Sequence, residues 1–258
     1  MSVAVREVLA SRQSPFQLIE ILDTEVYGKM LFLDGHVQLS EFDESAYHEY
    51  LVHVPLLNIS EPKRALIVGG GDGGVLREIC RHPSIESIDF VEIDGDVIEL
   101  CKLYMPMVNA GSFGDPRLNL HVTDAFGFVE TSTDSYDLIV VDCTDVYEDE
   151  EGELSERLFT SEFYKMLRDR LSKNGFVVTQ ADNPVYCPYS LKEVSDLFDS
   201  VYAKSGSYWS MVPSFGGFSA YVWGSNGRTL SEKMPRALPG LSCLDEFGYQ
   251  ACLRPLTW

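Results

Sequence analysis

The sequence predicts an α/β fold in which a doubly wound, mostly parallel sheet follows a small N-terminal antiparallel β unit. Three observations predict it: short apolar runs that alternate with helix-period stretches after residue 61, period-two alternation over residues 15–41, and a glycine-rich segment between the first run and the first helical stretch. A division into residues 1–60, a β meander plus a helix, and residues 61–258, the larger sheet, follows from the punctuation at Glu61-Pro62-Lys63.

Taken in order, Phe16, Leu18 and Ile21, then Met30 and Phe32, then Val37 and Leu39 alternate with polar positions, broken at Tyr27-Gly28-Lys29 and Asp34-Gly35. That pattern is a small antiparallel meander. From Glu44 to Leu57 the apolar residues Ala46, Tyr47, Tyr50, Leu51, Val54 and Leu57 recur at three and four, which marks one face of a helix. Strands are then expected at Ala65 to Val68, Ile88 to Ile93, Leu118 to Val122, Leu138 to Val141 and Phe176 to Thr179. Helices are expected at Val75 to Arg81, Val97 to Tyr104, Phe159 to Leu171 and Leu191 to Tyr202. Gly175 reads as a helix C-cap and Ser190 with Glu193 as a capping box. Tyr208 to Val212 and Ala220 to Trp223, joined through Pro213 and Gly216-Gly217, close the chain as an antiparallel pair.

The composition narrows the function. A chain of 258 residues, 45% hydrophobic, can bury one large core, or one large and one small. Forty acids against 20 Lys and Arg leave a formal charge of -20, a field that repels phosphate backbones and anionic lipid and attracts cations. Nucleic acid and membrane are therefore not expected partners, and a cationic small molecule is. No apolar run reaches the ~18 residues of a membrane span, and Met1 to Ala10 lacks signal-peptide character, so the cytoplasm is the expected location. Six dispersed cysteines and five dispersed histidines offer neither a CxxC nor a ligand-spaced cluster, so no metal is expected.

Gly69-Gly70-Gly71-Asp72-Gly73-Gly74 follows an expected strand and opens an expected helix. Glycines there let a ligand approach the helix N-terminus, a use common to dinucleotides and S-adenosyl compounds. Glu92, at the end of the next strand, is placed to accept from ribose hydroxyls in either case. Asp72 discriminates, because a carboxylate in that loop repels a pyrophosphate and attracts a sulfonium or ammonium group. Asp124, Asp142 and Asp145 add acids at further strand ends. Each alone fits a helix cap or a turn; together they point into one crevice.

These residues resemble the polyamine aminopropyltransferases, the family of spermidine synthase. The resemblance spans Ser14 to Ser225 and rests on Gly69 to Glu78, Val91-Glu92-Ile93-Asp94, Asp142-Cys143-Thr144-Asp145, and Leu33-Asp34-Gly35 with Asp43-Glu44 and Tyr47-His48-Glu49. It implies a Rossmann-like domain of the class I S-adenosylmethionine-dependent transferase type, and a homo-oligomer, dimer or tetramer. It also implies transfer of an aminopropyl group from decarboxylated S-adenosylmethionine to a polyamine amine, with methylthioadenosine released and no tightly bound cofactor.

Carried over by position, the resemblance gives Gln17, Gly69, Gly71 and Asp72 to the aminopropyl donor, with Asp72 drawing its ammonium end. Glu92 is given to the ribose, and Asp124 with Ala125 to the adenine. Asp142 matches the catalytic acid, while Tyr47, His48, Asp145 and Gln180 line the acceptor channel with it. An ordinary Asp, near pKa ~3.9, is a poor base for an amine near ~10.4, so position and desolvation must supply much of its effect.

Two departures from the family bear on the acceptor. Val146-Tyr147 leads into an acid-rich run, Glu148 to Glu156, where a proline and a Gly-Pro segment are usual, and Phe215 stands where many spermidine synthases carry tyrosine. Putrescine is the leading acceptor, with spermidine or agmatine as longer alternatives. Two rival readings keep the fold: methyl transfer from intact S-adenosylmethionine, and a non-catalytic nucleoside- or polyamine-binding homologue.

Overall fold

The computed structural model describes residues 3–143 and 154–256, folded around two sheets. The smaller is an antiparallel meander of β1 (Val5–Gln13), β2 (Leu18–Thr24), β3 (Gly28–Leu33) and β4 (His36–Ser40), hydrogen-bonded in that order. Asp34 and Gly35 both adopt left-handed conformations, with φ of 48° and 80°, and close a two-residue hairpin between paired Leu33 and His36. Such a turn matches the twist of its strands. The sequence did not predict β1: Val5 and Val8 face solvent, and charged residues between them leave no apolar run to read.

The second sheet holds seven strands. In chain order come α1 (Glu44–Leu56), β5 (Arg64–Gly69), α2 (Gly74–Cys80), β6 (Ser87–Glu92), α3 (Gly95–Tyr104), α4 (Pro106–Asn109), β7 (Leu118–Val122), α5 (Ala125–Thr131) and β8 (Tyr136–Asp142). Then follow α6 (Ser161–Arg170), β9 (Leu171–Gln180), α7 (Pro188–Val201), β10 (Lys204–Val212), β11 (Gly217–Ser225) and α8 (Glu246–Cys252). The strand order is β10-β11-β9-β8-β5-β6-β7, with β5 to β9 parallel and β11 antiparallel to both neighbours. The order in which strands are added reverses between β5 and β8, with β6 and β7 on one side and β8 and β9 on the other, and at such a switch point the ends of parallel strands leave a crevice for a ligand.

Alternate residues of the central strands separate the two faces. Ala65, Ile67, Leu138 and Val140 pack with α1 and α2; Leu66, Val68, Ile139 and Val141 pack with α5, α6 and α7. Burial on both faces is why these strands read as continuous apolar runs. The small sheet docks through Ile19, Ile21, Leu31 and Leu33 onto Val97, Leu100 and Cys101 of α3. Helix α1, which the expected division at residue 60 groups with that sheet, sets Leu51, Val52 and Val54 into the core of the larger one.

Two cap assignments are corrected. Gly175 lies inside β9, where a Cβ would come 2.8 Å from the carbonyl oxygen of Asp137, so glycine is needed for strand packing and not for a helix end. Helix α7 begins at Pro188, which fits the first turn because it lacks an N–H. Ser190 is therefore already helical and does not cap with Glu193. The six cysteines are free thiols. Among the described residues, no helix is long and apolar enough to cross a membrane.

Candidate active site

The glycine-rich turn lets β5 and β8 meet closely at their carboxyl ends. Gly69, at φ 78°, lies so near the neighbouring strand that a Cβ would fall 2.3 Å from the carbonyl oxygen of Asp142, the atom that accepts from the N–H of Gly70 at 2.8 Å. Gly74 is equally committed, because a Cβ there would occupy the ring of His48 at 2.2 Å. Removing side chains at these points brings Asp72, Asp142 and His48 together.

Helix α1 then addresses the two acids with consecutive residues. The hydroxyl of Tyr47 donates to Oδ1 of Asp142 at 2.6 Å, and Nε2 of His48 stands 3.4 Å from Oδ1 of Asp72, which also accepts from the N–H of Gly74. The second ring nitrogen of His48 meets Glu44 Oε2 at 2.7 Å. Burial opposes charge on this ring, but the carboxylates of Asp72 and Glu44 more than offset it and push the pKa of His48 up to about 10. His48, Asp72 and Asp142 do bring ligand-type atoms within 4.8 Å of one another. An imidazolium with both nitrogens turned to carboxylates has no lone pair to give a metal, so the cluster is built as an ion pair.

Burial, reinforced by the nearby Asp72 carboxylate, raises the pKa of Asp142 above the usual carboxylate range, while His48 and the Tyr47 hydroxyl pull it back. Asp142 is therefore a better proton acceptor than an exposed aspartate. Glu92 is pushed up to about 7, chiefly by burial, and accepts from the N–H of Asp94 at 2.9 Å.

Tyr47, His48, Asp72, Glu92 and Asp142 border one cavity of about 540 Å³. Its lining includes Gly69, Gly71, Asp72, Glu92, Asp124, Ala125 and Asp142 from the larger sheet, Tyr47 and His48 from α1, Gln180 from the end of β9, and Gln17 ahead of β2. Twelve site residues were expected, and the structure gathers all but Asp145, which lies outside the described residues with the acid-rich run to Glu153. Some of these side chains have structural duties as well. Asp124 caps α5 by accepting from the N–H groups of Phe126 and Gly127, Gln17 donates to Asp94, and Gln180 ties the carbonyl of Cys143 to the N–H of Asp182.

The cavity also takes in residues that sequence reasoning missed. Leu31 and Leu33 of the small sheet form its apolar wall, and Asp182, at φ 58°, adds a carboxylate. The lining holds six carboxylates, those of Asp34, Asp72, Glu92, Asp124, Asp142 and Asp182, and no Lys or Arg among the described residues. Such a cavity suits cationic ligands with a flat apolar portion.

Comparison with known proteins agrees with this geometry. Residues 44–233 match the spermine/spermidine synthase domain, and residues 1–41 match the spermidine synthase tetramerisation domain. The chain belongs to the spermine/spermidine synthase family. A polyamine aminopropyltransferase from Bacillus subtilis is 39% identical over 215 residues, 83% of this chain and 76% of the relative. Another from Pectobacterium atrosepticum is 38% identical over 237 residues, 89% of this chain and 78% of the relative. Among solved structures, a spermidine synthase in complex with the transition-state analogue AdoDATO superposes with a TM-score of 0.89 at 29% identity, over 98% of this chain and 87% of that one. The spermidine synthase from Thermotoga maritima gives a TM-score of 0.88 at the same identity, over 98% and 86%.

Proposed function

We propose that this member of the family transfers an aminopropyl group from decarboxylated S-adenosylmethionine to a polyamine amine, with putrescine the leading acceptor and spermidine the product. The observation that carries the reading is the pair of acids, Asp72 and Asp142, each with one oxygen anchored by α1 or the loop backbone inside a cavity with no Lys or Arg among the described residues lining it. Glu92 takes the ribose hydroxyls, and Asp124 with Ala125 borders the adenine through lone pairs left over from capping. Gln17, Gly69 and Gly71 border the donor, and the ammonium of its aminopropyl arm pairs with Asp72. The acceptor enters past Tyr47, His48 and Gln180, with Asp145 as a further contact. A homo-oligomer, dimer or tetramer, is the assembly supported by the match of residues 1–41 to a tetramerisation domain.

The acceptor arrives as an ammonium and must lose a proton before it can react. Asp142 takes that proton, which its raised pKa favours. The freed nitrogen lone pair attacks the methylene bound to the sulfonium, the carbon–sulfur bond breaks, and its electron pair returns to sulfur as neutral methylthioadenosine. Aligning the two reactants contributes several kcal/mol. No covalent enzyme intermediate enters this scheme.

The test supplies the purified protein with putrescine and either decarboxylated or intact S-adenosylmethionine. Methylthioadenosine should form only with the former, because the carboxylate of the intact compound meets Asp72. Methyl transfer from the intact compound would establish the methyltransferase reading instead. Binding without turnover would establish the non-catalytic one. Asp142→Asn should abolish turnover and leave methylthioadenosine binding in place.

A further inference from the structure

Behind His48, on the side away from the cavity, a largely buried chain of ion pairs and hydrogen bonds continues that the transfer scheme does not use. Arg77 of α2 donates from both terminal nitrogens to the two oxygens of Glu44, at 2.9 and 2.8 Å. Its Nε donates to Glu78 at 2.6 Å, and a terminal nitrogen also reaches the carbonyl of Val108 at 2.6 Å. Glu78 in turn meets His53 at 2.8 Å, and His53 meets His82 at 3.0 Å. Neither Glu44 nor Arg77 appears among the described residues lining the cavity. Burying an arginine and two glutamates is costly unless every charge is matched.

The groups facing His48 come from three elements: Glu44 and the Tyr47 ring on α1, Asp72 in the turn before α2, and Asp142 at the end of β8. Arg77 reaches this set through Glu44. The ring packs directly on Gly74, where any Cβ would overlap it, so the absence of a side chain there is what lets the imidazole reach both carboxylates.

We propose that Glu44 and Arg77 are positioning residues for the transfer: together they clamp His48 as an imidazolium against Gly74, fixing one oxygen of Asp72 and holding a positive charge beside Asp142. The proposal rests on the aminopropyl-transfer reading for its catalytic consequence. The charge on His48, however, can be measured without turnover. Fixing one oxygen of Asp72 turns the other to the donor's ammonium. The positive charge keeps Asp142 from climbing further under the influence of Asp72.

The experiment follows the ¹³Cε1 resonance of His48 in histidine-labelled protein and, in parallel, the pH profile of aminopropyl transfer from decarboxylated S-adenosylmethionine to putrescine. In the native protein His48 should stay protonated from pH ~6 to ~9. Its deprotonation below pH ~8 would overturn the proposal whatever the variants do. In Glu44→Gln the titration should fall by about 1–3 pH units, the range an adjacent opposite charge controls. A new alkaline limb in the activity should appear at the same pH. Arg77→Lys, which keeps the charge and loses the fork, should shift both in the same direction and less. Glu49→Gln removes another buried glutamate, on the same helix, whose carboxylate oxygens accept instead from the N–H groups of Ser242, Cys243 and Leu244. It should leave the His48 titration in place. An equal shift in Glu49→Gln, or an unshifted limb in Glu44→Gln, would overturn the assignment. Absence of transfer in the native protein with the His48 shifts intact would sink the aminopropyl-transfer reading alone.

Discussion

The hydroxyl of Tyr47 and the carboxylate of Asp142, 95 positions apart in sequence, meet at 2.6 Å. The contact joins α1 to the end of β8. One residue further along α1, His48 makes the corresponding approach to Asp72. A single helix turn thus sets the two acids on which the proposed chemistry depends.

Tyr47→Phe should therefore act on Asp142 before it acts on the fold. A hydrogen bond to a charged group contributes about 1.5 kcal/mol, close to one pKa unit. Because the hydroxyl pulls the Asp142 pKa down, its loss raises it. The acid limb of kcat/KM should move upward by about one pH unit, with activity recovering at higher pH. A limb that stays in place in the folded variant would show that Tyr47 does not hold the base.

Glu92 links the site to stability. Its folded pKa, raised to about 7 chiefly by burial, exceeds the ordinary 4.5, so the folded protein binds more protons than the unfolded chain between those values. Stability from this group is present below pH ~4.5 and lost as pH rises through about 7. Glu92→Gln should remove that loss and stabilise the unliganded protein at pH 8 by up to about 3 kcal/mol, with little change at pH 4.5. Thermal melts at the two pH values check it; an equal shift at both would mean that the gain comes from elsewhere.

The same side chain should weaken ligand binding when truncated. Glu92→Ala and Asp124→Ala each remove an acceptor from the nucleoside end, at about 1.5–3 kcal/mol for a charge-assisted bond. Asp124→Ala should also lower the melting temperature, since it uncaps α5, at a cost of about 1 kcal/mol. Calorimetry with methylthioadenosine reads the first effect. Unchanged affinity in both variants would move the pocket away from this end of the sheet, and selective NADH binding would point to dinucleotide use of the glycine turn.

Much of this site was legible because its parts are local. A glycine run after a buried strand, and single acids at successive strand ends, are short patterns that the parallel sheet necessarily lines up. What escaped depends on tertiary partners. Glu44 and Arg77 stood in the sequence as parts of two separate motifs, and only the packing of α1 on α2 shows that they share one buried ion pair. Gly175 was misread because Lys-Asn-Gly is a common helix ending, while its actual constraint is the backbone of β8 opposite. Strand β1 escaped because its outer face is exposed and charged, so pairing with β2 defines it more than any apolar pattern.

Acceptor choice can be tested at Phe215. Its ring lies edge-on to Tyr47, with centroids 5.6 Å apart and planes at 78°, and its backbone carbonyl is held by the side chain of Asn183, so the position is fixed at the wall of the cavity. A tyrosine there would bring a hydroxyl into a region that already offers Gln180 and Asp182. Putrescine offers fewer N–H donors than spermidine, with its third amine, or agmatine, with its guanidinium, so one added contact is a larger share of its recognition. Phe215→Tyr should raise kcat/KM for putrescine by about tenfold, one hydrogen bond to a cation, and change spermidine and agmatine less. Competition among the three amines at equal concentration, in both proteins, reads the ratio directly. If putrescine already dominates in the native protein and the ratio does not move in the variant, the missing hydroxyl has no part in acceptor choice, and selectivity must be sought among the acids of the cavity, Asp182 first.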